Sequence, residues 1–258
     1  MAVGAYASYK FMTAFPDLNI FFVIILSGFV TAFVGTLFGL PSLRIKGFYL
    51  AVATLAAQFF LIWLFNKVGW FYNYSATGMI TAPSRSVGSF FITGSESTPA
   101  AKYLFCFLFV FLLAWIARNL TRGKIGRSWM AIRDMDIAAE IIGVNPLIAK
   151  LSAFAISSFY VGVAGALFFS VYLGAVEPTE AFSIQKSFIV LFMVIIGGLG
   201  SIFGSFAGAA FMVLMPVALK NLLVLQFGWS VDIAAHFEFI IIGGLTVSYT
   251  HLTLPTKA

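Results

Sequence analysis

The chain has 258 residues, 61% of them hydrophobic and only 9% charged, with a mean hydropathy of +1.03. A soluble domain carries about 25% charged residues, and a water-soluble fold of this size has no interior large enough for so much Phe, Leu and Ile, so a soluble globular domain is excluded. The net charge of +6 points to membrane topology rather than to nucleic acid, because Lys and Arg gather in cytoplasmic loops.

Apolar runs of about 20 residues can cross the hydrocarbon core as helices. Ala2–Phe15 reads as the end of such a span, and the opening MAVGAYASYKFM lacks the basic start and cleavage site of a signal peptide. Leu18–Leu43 and Gly47–Phe65 are the next two predicted helices. Tyr103–Ala117 is shorter, but Lys102 and Arg118 at its ends can snorkel to the two interfaces. Leu151–Leu173 is a clear span. Ser187–Leu219 carries no charge and is too long for one span. Gly197, Gly198, Gly200 and Gly204 break it, which predicts a tight helical hairpin. Phe237–Leu245 starts a further span. The apolar character is continuous rather than alternating, so the expected fold is all-α. It is a polytopic transmembrane helical bundle of about seven to eight helical segments with a short cytoplasmic helix.

The long loops differ in kind. Asn66–Ala101 is rich in Ser, Thr, Gly and aromatics, with only Lys67 and Arg85 basic, whereas Arg118–Lys150 holds Arg118, Arg122, Lys124, Arg127, Arg133 and Lys150. The positive-inside rule places the second loop in the cytoplasm. Alternation then places Arg44 and Lys46 inside, and Asn66–Ala101 and Gly174–Gln185 outside.

Glycines recur at helical spacing: Gly200, Gly204 and Gly208 at i, i+4 and i+8, and Gly35 with Gly39. Such stripes let helices approach closely in lipid, either for packing alone or for motion along the seam. Gln58 lies inside a span as an uncharged polar group that bonds another helix or lines a pathway. His236 and Glu238 fall near the edge of the last span, where interfacial placement explains them. The lone Cys106 forms no intrachain disulfide, and with only His236 and His251 as imidazoles there is no metal-ligand cluster. No GxSxG, HExxH or mid-membrane carboxylate pair supports an enzyme. No GxxxxGK[ST] loop is present, so any ATP that drives this chain is bound by another one.

One segment stands apart. RDMDIAAEIIGVNP, residues 133–146, holds three of the nine acidic residues. Ile132, Met135, Ala139 and Ile142 fall on one helical stripe, with Arg133, Asp136 and Glu140 on a polar stripe beside it. Gly143 and Pro146 read as a helix stop. Asp136 can instead cap a second short helix, Ile137–Ile142. Either helix is amphipathic and too short to span. Asp136 and Glu140 disfavour anionic lipid, so a protein partner explains them better than a membrane surface.

Ala138-Ala139-Glu140-Ile141-Ile142-Gly143 resembles the AAxxxG part of the EAA loop of ABC-importer permeases, with Ile137 where that family has its leading Glu. Residues 126–168 resemble the coupling region and following helix of branched-chain amino acid permeases. Residues 175–216 resemble their signature hairpin. LRIKGFYLAVATLAAQ (43–58) and TGMITAPS (77–84) resemble the LivM-type subunit. The resemblance covers nearly all of residues 1–245. It implies a chain truncated at both ends, with TVSYTHLTLPTKA (246–258) a foreign tail.

The resemblance further implies a multi-pass subunit of a bacterial or archaeal inner membrane. A periplasmic or lipid-anchored binding protein would deliver substrate, a second permease would complete the pore, and two cytoplasmic ATPases would bind the ATP, leaving no cofactor on this chain. Arg133, Asp134, Asp136, Ala138, Ala139, Glu140 and Gly143 would couple to an ATPase. Gln58, Gly197, Gly198, Gly200, Gly204 and Gly208 would serve the pathway or helix packing. Related importers carry urea or short amides. A stand-alone secondary carrier would need ion ligands near the midplane, and the sequence offers few.

Overall fold

A computed structural model describes residues 1–42, 48–88, 90–94, 97–198 and 200–226, together with 228, 230, 233, 236–237, 239–241, 243–244 and 247. Arg44, Lys46, Glu238 and His251 lie outside the described residues, as does the expected tail apart from Val247. The chain divides into two units, Met1–Phe182 and Ser183–Ala258.

The first unit is built on three helices, α1 (Ala2–Ala14), α2 (Ile20–Ser42) and α7 (Pro146–Leu167). Glycine decides how close they come. A Cβ on Gly28 would strike Phe159 and Val163, one on Gly35 would strike Ser158, and one on Gly162 would strike Thr31 and come within 3.1 Å of the Gly28 backbone. A Cβ on Gly4 would meet the carbonyl of Gly162. Gly39 faces the Phe154 ring across the same seam. Lipid supplies no hydrophobic drive between helices, so close backbone approach and dispersion hold them together. The serine and threonine hydroxyls buried here are satisfied within their own helices. Ser8 donates to the Ala5 carbonyl at 2.8 Å, Ser27 to Val23 at 2.7 Å and Thr31 to Ser27 at 2.7 Å.

Two further helices flank this triad. On α3 (Phe48–Lys67) the Phe65 ring stacks on buried Tyr6 with centroids 4.3 Å apart. Helix α4 (Pro99–Arg122) opens on Thr98, whose hydroxyl accepts from the Ala101 amide, with Pro99 in the first turn. Its Phe105 and Phe109 pack on Phe21 of α2, and Tyr160 of α7 donates to its Leu113 carbonyl at 3.0 Å.

The connection between α3 and α4 is more ordered than its composition suggests. It contains β1 (Ile80–Thr81), β2 (Arg85–Val87) and β3 (Phe90–Thr93). β2 pairs with β3, and β1 pairs antiparallel with β4 (Ala175–Val176), register Ile80↔Val176. The two segments expected on the same outer side therefore meet. Arg85 Nη2 donates to the carbonyls of Met12 at 2.6 Å and Phe15 at 3.3 Å, closing the C-terminal end of α1. Beyond Leu167 the helix widens into a π-helical segment, Phe168–Leu173, and ends at Gly174 with φ +74°. Helix α8 (Pro178–Ala181) completes the unit, with Asn66 donating to Thr179 at 3.0 Å.

The second unit holds α9 (Ile184–Gly197) and α10 (Ile202–Leu219), then a π-helical segment, Lys220–Gln226. Gly198 (φ +93°) and Gly200 (φ +94°) form the turn, and Ser201 caps α10 by accepting from the Gly204 amide at 3.0 Å. The predicted hairpin is present, but the stripe is redrawn. Gly200 belongs to the turn, and the seam is Gly197 against Gly204 and Gly208. A Cβ on Gly197 would meet the Gly204 carbonyl, one on Gly204 the Gly197 carbonyl, and one on Gly208 the Met193 carbonyl.

Among the described residues, five helical stretches are long and apolar enough to cross a membrane: Ile20–Pro41, Pro99–Arg122, Pro146–Leu173, Pro178–Gly197 and Ile202–Val224. The all-α polytopic architecture stands, with the short strand pairs as a minor addition.

Candidate functional site

The loop after α4 folds into two short helices. Gly123 ends α4, and α5 (Lys124–Asp134) turns back so closely that a Cβ on Gly126 would strike the backbone of Thr121. The backbone leaves helical geometry at Met135 (φ −154°, ψ 95°), and α6 (Asp136–Ile141) begins anew. The single stripe through Ile132, Met135, Ala139 and Ile142 is therefore broken. Asp136 does not cap α6; it stands in its first turn, where a carboxylate suits the helix dipole.

Breaking the helix at Met135 lets α6 turn one side inward. Ile132 of α5, Ala139 of α6 and Ala149 of α7 form a small core, with Trp129, Ala131 and Val144 against it. The C-terminal end of α6 is closed by two hydrogen bonds. The Gly143 amide donates to the Glu140 carbonyl and the Val144 amide to the Ala139 carbonyl, both at 3.0 Å. That pairing is a Schellman motif. It requires a left-handed residue, here Gly143 at φ +89°, and brings Val144 onto Ala139. Asn145 then caps α7, accepting from the amides of Leu147 (3.1 Å) and Ile148 (3.3 Å), with Pro146 as the first helical residue. Pro146 thus starts α7 rather than stopping the helix before it. Its missing N–H is a group that a first turn leaves unbonded anyway.

The outward side of α6 is apolar. Met135 is 71% exposed, Ile137 75%, Ile141 82% and Ile142 75%. Ala138, Glu140 and Gly143 are also exposed, while Ala139 is buried at 2%. Arg133 and Asp134 pair with each other at 2.9 Å on the surface, and Asp136 pairs with Lys150 of α7 at 3.6 Å. A surface depression of about 460 Å³ lies beside the motif, lined by Glu140, Gly143, Val144, Asn145, Pro146 and Leu147. Asp134 and Asp136 are thus each paired with a cation, and four exposed apolar side chains lie beside them. Among the described residues, no three His, Cys, Asp or Glu side chains converge as metal ligands.

The residues assigned to pathway or packing divide likewise. Gly197, Gly204 and Gly208 form one backbone seam, and Gly198 and Gly200 form the turn beside it. Gln58 lies half-buried on α3, with the exposed rings of Phe59 and Phe60 next to it in the chain.

The alternative of a second short helix after the break matches α6 to within one residue, with Asp136 inside it rather than capping it. Sequence reasoning missed two features of this region. One is the Trp129 Nε1 donation to Ser152 Oγ at 2.9 Å, between residues 23 apart. The other is the cap on α7, for which the Asn-Pro dipeptide after Gly143 was a usable signal.

The family model for the permease component of the branched-chain amino acid transport system matches residues 1–247. The high-affinity branched-chain amino acid transport system permease protein LivM of Salmonella typhimurium is 31% identical over 240 residues, covering 85% of this chain and 55% of that protein. Its Escherichia coli counterpart is 29% identical over 238 residues, with the same coverage of 85% and 55%. The probable LivM permease of Methanocaldococcus jannaschii is 24% identical over 200 residues, covering 76% and 55%. The chain spans 55% of the length of these curated relatives, about half. No solved structure matches it.

Proposed function

The chain belongs to the branched-chain amino acid transport permease family, and on that premise we propose that it is a membrane-embedded permease subunit of an ATP-driven importer of branched-chain, hydrophobic amino acids. It carries no nucleotide loop of its own, so the ATP is bound by two cytoplasmic partner subunits. A second permease completes the pathway, and a periplasmic or lipid-anchored binding protein delivers the substrate. The whole assembly belongs in a bacterial or archaeal inner membrane.

The observation that carries this reading is the division of α6. Ala139 is locked into the core with α5 and α7, while Met135, Ile137, Ile141 and Ile142 face outward. A six-residue helix is too short to be stable by itself, so its geometry depends on that core. Exposed apolar side chains on a cytoplasmic helix gain most when a protein groove takes them from water. ATP-driven closure of the partner subunits then pushes α6, and the permease switches access from outside to inside. Arg133, Asp134, Asp136 and Glu140 frame the contact, and Gly143 sets where the helix ends.

The test is reconstitution of the complete transporter in proteoliposomes. ATP-dependent uptake of leucine, isoleucine or valine is expected, and uptake of urea or acetamide is not. Uptake of leucine with no ATPase subunit present would overturn the reading.

A further inference from the structure

We propose that α7 is the element that carries the displacement of α6 through the bundle, and that Trp129, Asp136 and Lys150 are the positioning residues that make α6 and α7 move together. The inference rests on the reading of α6 as the docking helix. It adds the route by which the push leaves that helix.

Three contacts tie α5 and α6 to the first two turns of α7. The Trp129 indole on α5 donates to Ser152 Oγ at 2.9 Å, and that hydroxyl donates to the Ala149 carbonyl at 2.9 Å. Ala149 packs with Ala139 and Ile132 in the same small core. Lys150 Nζ lies 3.6 Å from the Asp136 carboxylate. The ion pair is half in water and adds little stability. Its effect is directional, because it holds the start of α6 to one face of α7 while Val144 holds the end.

From this anchor α7 runs without a break for 22 residues, about 33 Å at 1.5 Å per residue. It packs on α2 at backbone distance. Ser158 occupies the space beside Gly35, and Gly162 approaches Gly28 and Thr31 too closely for even a methyl group. A push on α7 therefore moves α2 with it, and α1 through the contact between Gly4 and Gly162. At its far end the helix leaves α geometry at Phe168–Leu173, and the chain passes through Gly174 into β4, which pairs with β1. This π-helical segment lies where α7 meets the strand pair.

The experiment measures substrate moved per ATP hydrolysed by the complete transporter in proteoliposomes, with copurification of all subunits confirming assembly. Trp129→Phe keeps the ring and removes the donor. Lys150→Asp and Asp136→Lys each place like charges together, and the double exchange restores an opposite pair. We expect Trp129→Phe to lower the coupling ratio about fivefold, the worth of one hydrogen bond, with ATP hydrolysis maintained. Lys150→Asp should lower it about threefold, and the double exchange should recover most of the loss. Added salt should weaken the Lys150 effect and leave that of Trp129 unchanged. If Lys150→Asp prevents assembly, Trp129→Phe and Ser152→Thr, which retains the hydroxyl, carry the test alone. An unchanged ratio in Trp129→Phe, or a Lys150→Asp loss that the exchange does not rescue, overturns the assignment. A wild-type transporter with no ATP-dependent uptake would instead sink the docking reading beneath it.

Discussion

The Val144 amide donates to the Ala139 carbonyl at 3.0 Å, and Val144 packs on the same Ala139. This one pairing fixes both ends of the argument about α6. It turns Ala139 inward, which leaves Met135, Ile137, Ile141 and Ile142 outside. It also demands a left-handed residue between the two, and Gly143 supplies it. Spacing from Ala139 to Gly143 is thus a folding requirement before it is a docking signature.

Gly143 has φ +89° and no atom within 4 Å of a would-be Cβ. Substitution there is strained by the backbone and not by crowding. Asn tolerates this region best, Ala costs about 1 kcal/mol, and a β-branched residue costs up to about 3 kcal/mol. Uptake should fall in the order Gly143→Asn, Gly143→Ala, Gly143→Val, while membrane insertion stays intact. Equal uptake in all three would show that the end of α6 does not matter to transport.

Ala138 and Ala139 should respond differently to the same change. Ala139→Leu overpacks the small core with Ile132 and Ala149, at about 1–3 kcal/mol, and should lower the thermal midpoint of the purified protein in detergent. Ala138→Leu adds apolar area to an exposed site. It should leave the midpoint unchanged and alter only uptake. A matched thermal loss in both would mean that α6 is rotated relative to the structure.

Reversing Glu140 to Lys leaves the Schellman hydrogen bonds untouched, because only the backbone of Glu140 takes part. On the proposed docking reading, the exposed side chain borders the contact. We expect Glu140→Lys to separate ATP hydrolysis from uptake while insertion and thermal midpoint hold. Unchanged uptake would remove Glu140 from the contact.

Arg85 reaches across the chain to the carbonyls of Met12 and Phe15. Hydrogen bonds from a charged donor contribute about 1.5–3 kcal/mol. Arg85→Met keeps much of the bulk and loses both bonds. Limited proteolysis should then cut the 68–98 connection faster than in the wild type. Cleavage at the wild-type rate would show that the strand pairs, not Arg85, hold this connection in place.

The spans were legible because long apolar runs leave helices few alternatives in lipid. Gly197–Gly204 was legible as a hairpin but not in register, since the true turn is decided by which glycines take positive φ. Gly200 does, at +94°. The break at Met135 was legible only as one of two readings, because the stripe from Ile132 to Ile142 runs through it while Asp136 offers a new helix start. What decides between them lies farther along the chain, where Ala139 seats against Ala149, ten residues on. The strand pairs escaped notice for a similar reason. Ile80–Thr81 finds its partner at Ala175–Val176, far along the chain, and two-residue strands carry no alternation to read.

The most direct test places a photo-cross-linking side chain at Ile141, the most exposed large hydrophobic residue of α6 at 82%, in the complete transporter. The predicted result is a cross-link to the ATP-binding subunit whose yield changes when ATP binds, and none from the same probe at Tyr103 of α4, also exposed at 67%. Cross-linking from Ile141 to lipid alone, with no protein product in either nucleotide state, would contradict the assignment of α6 as the docking helix.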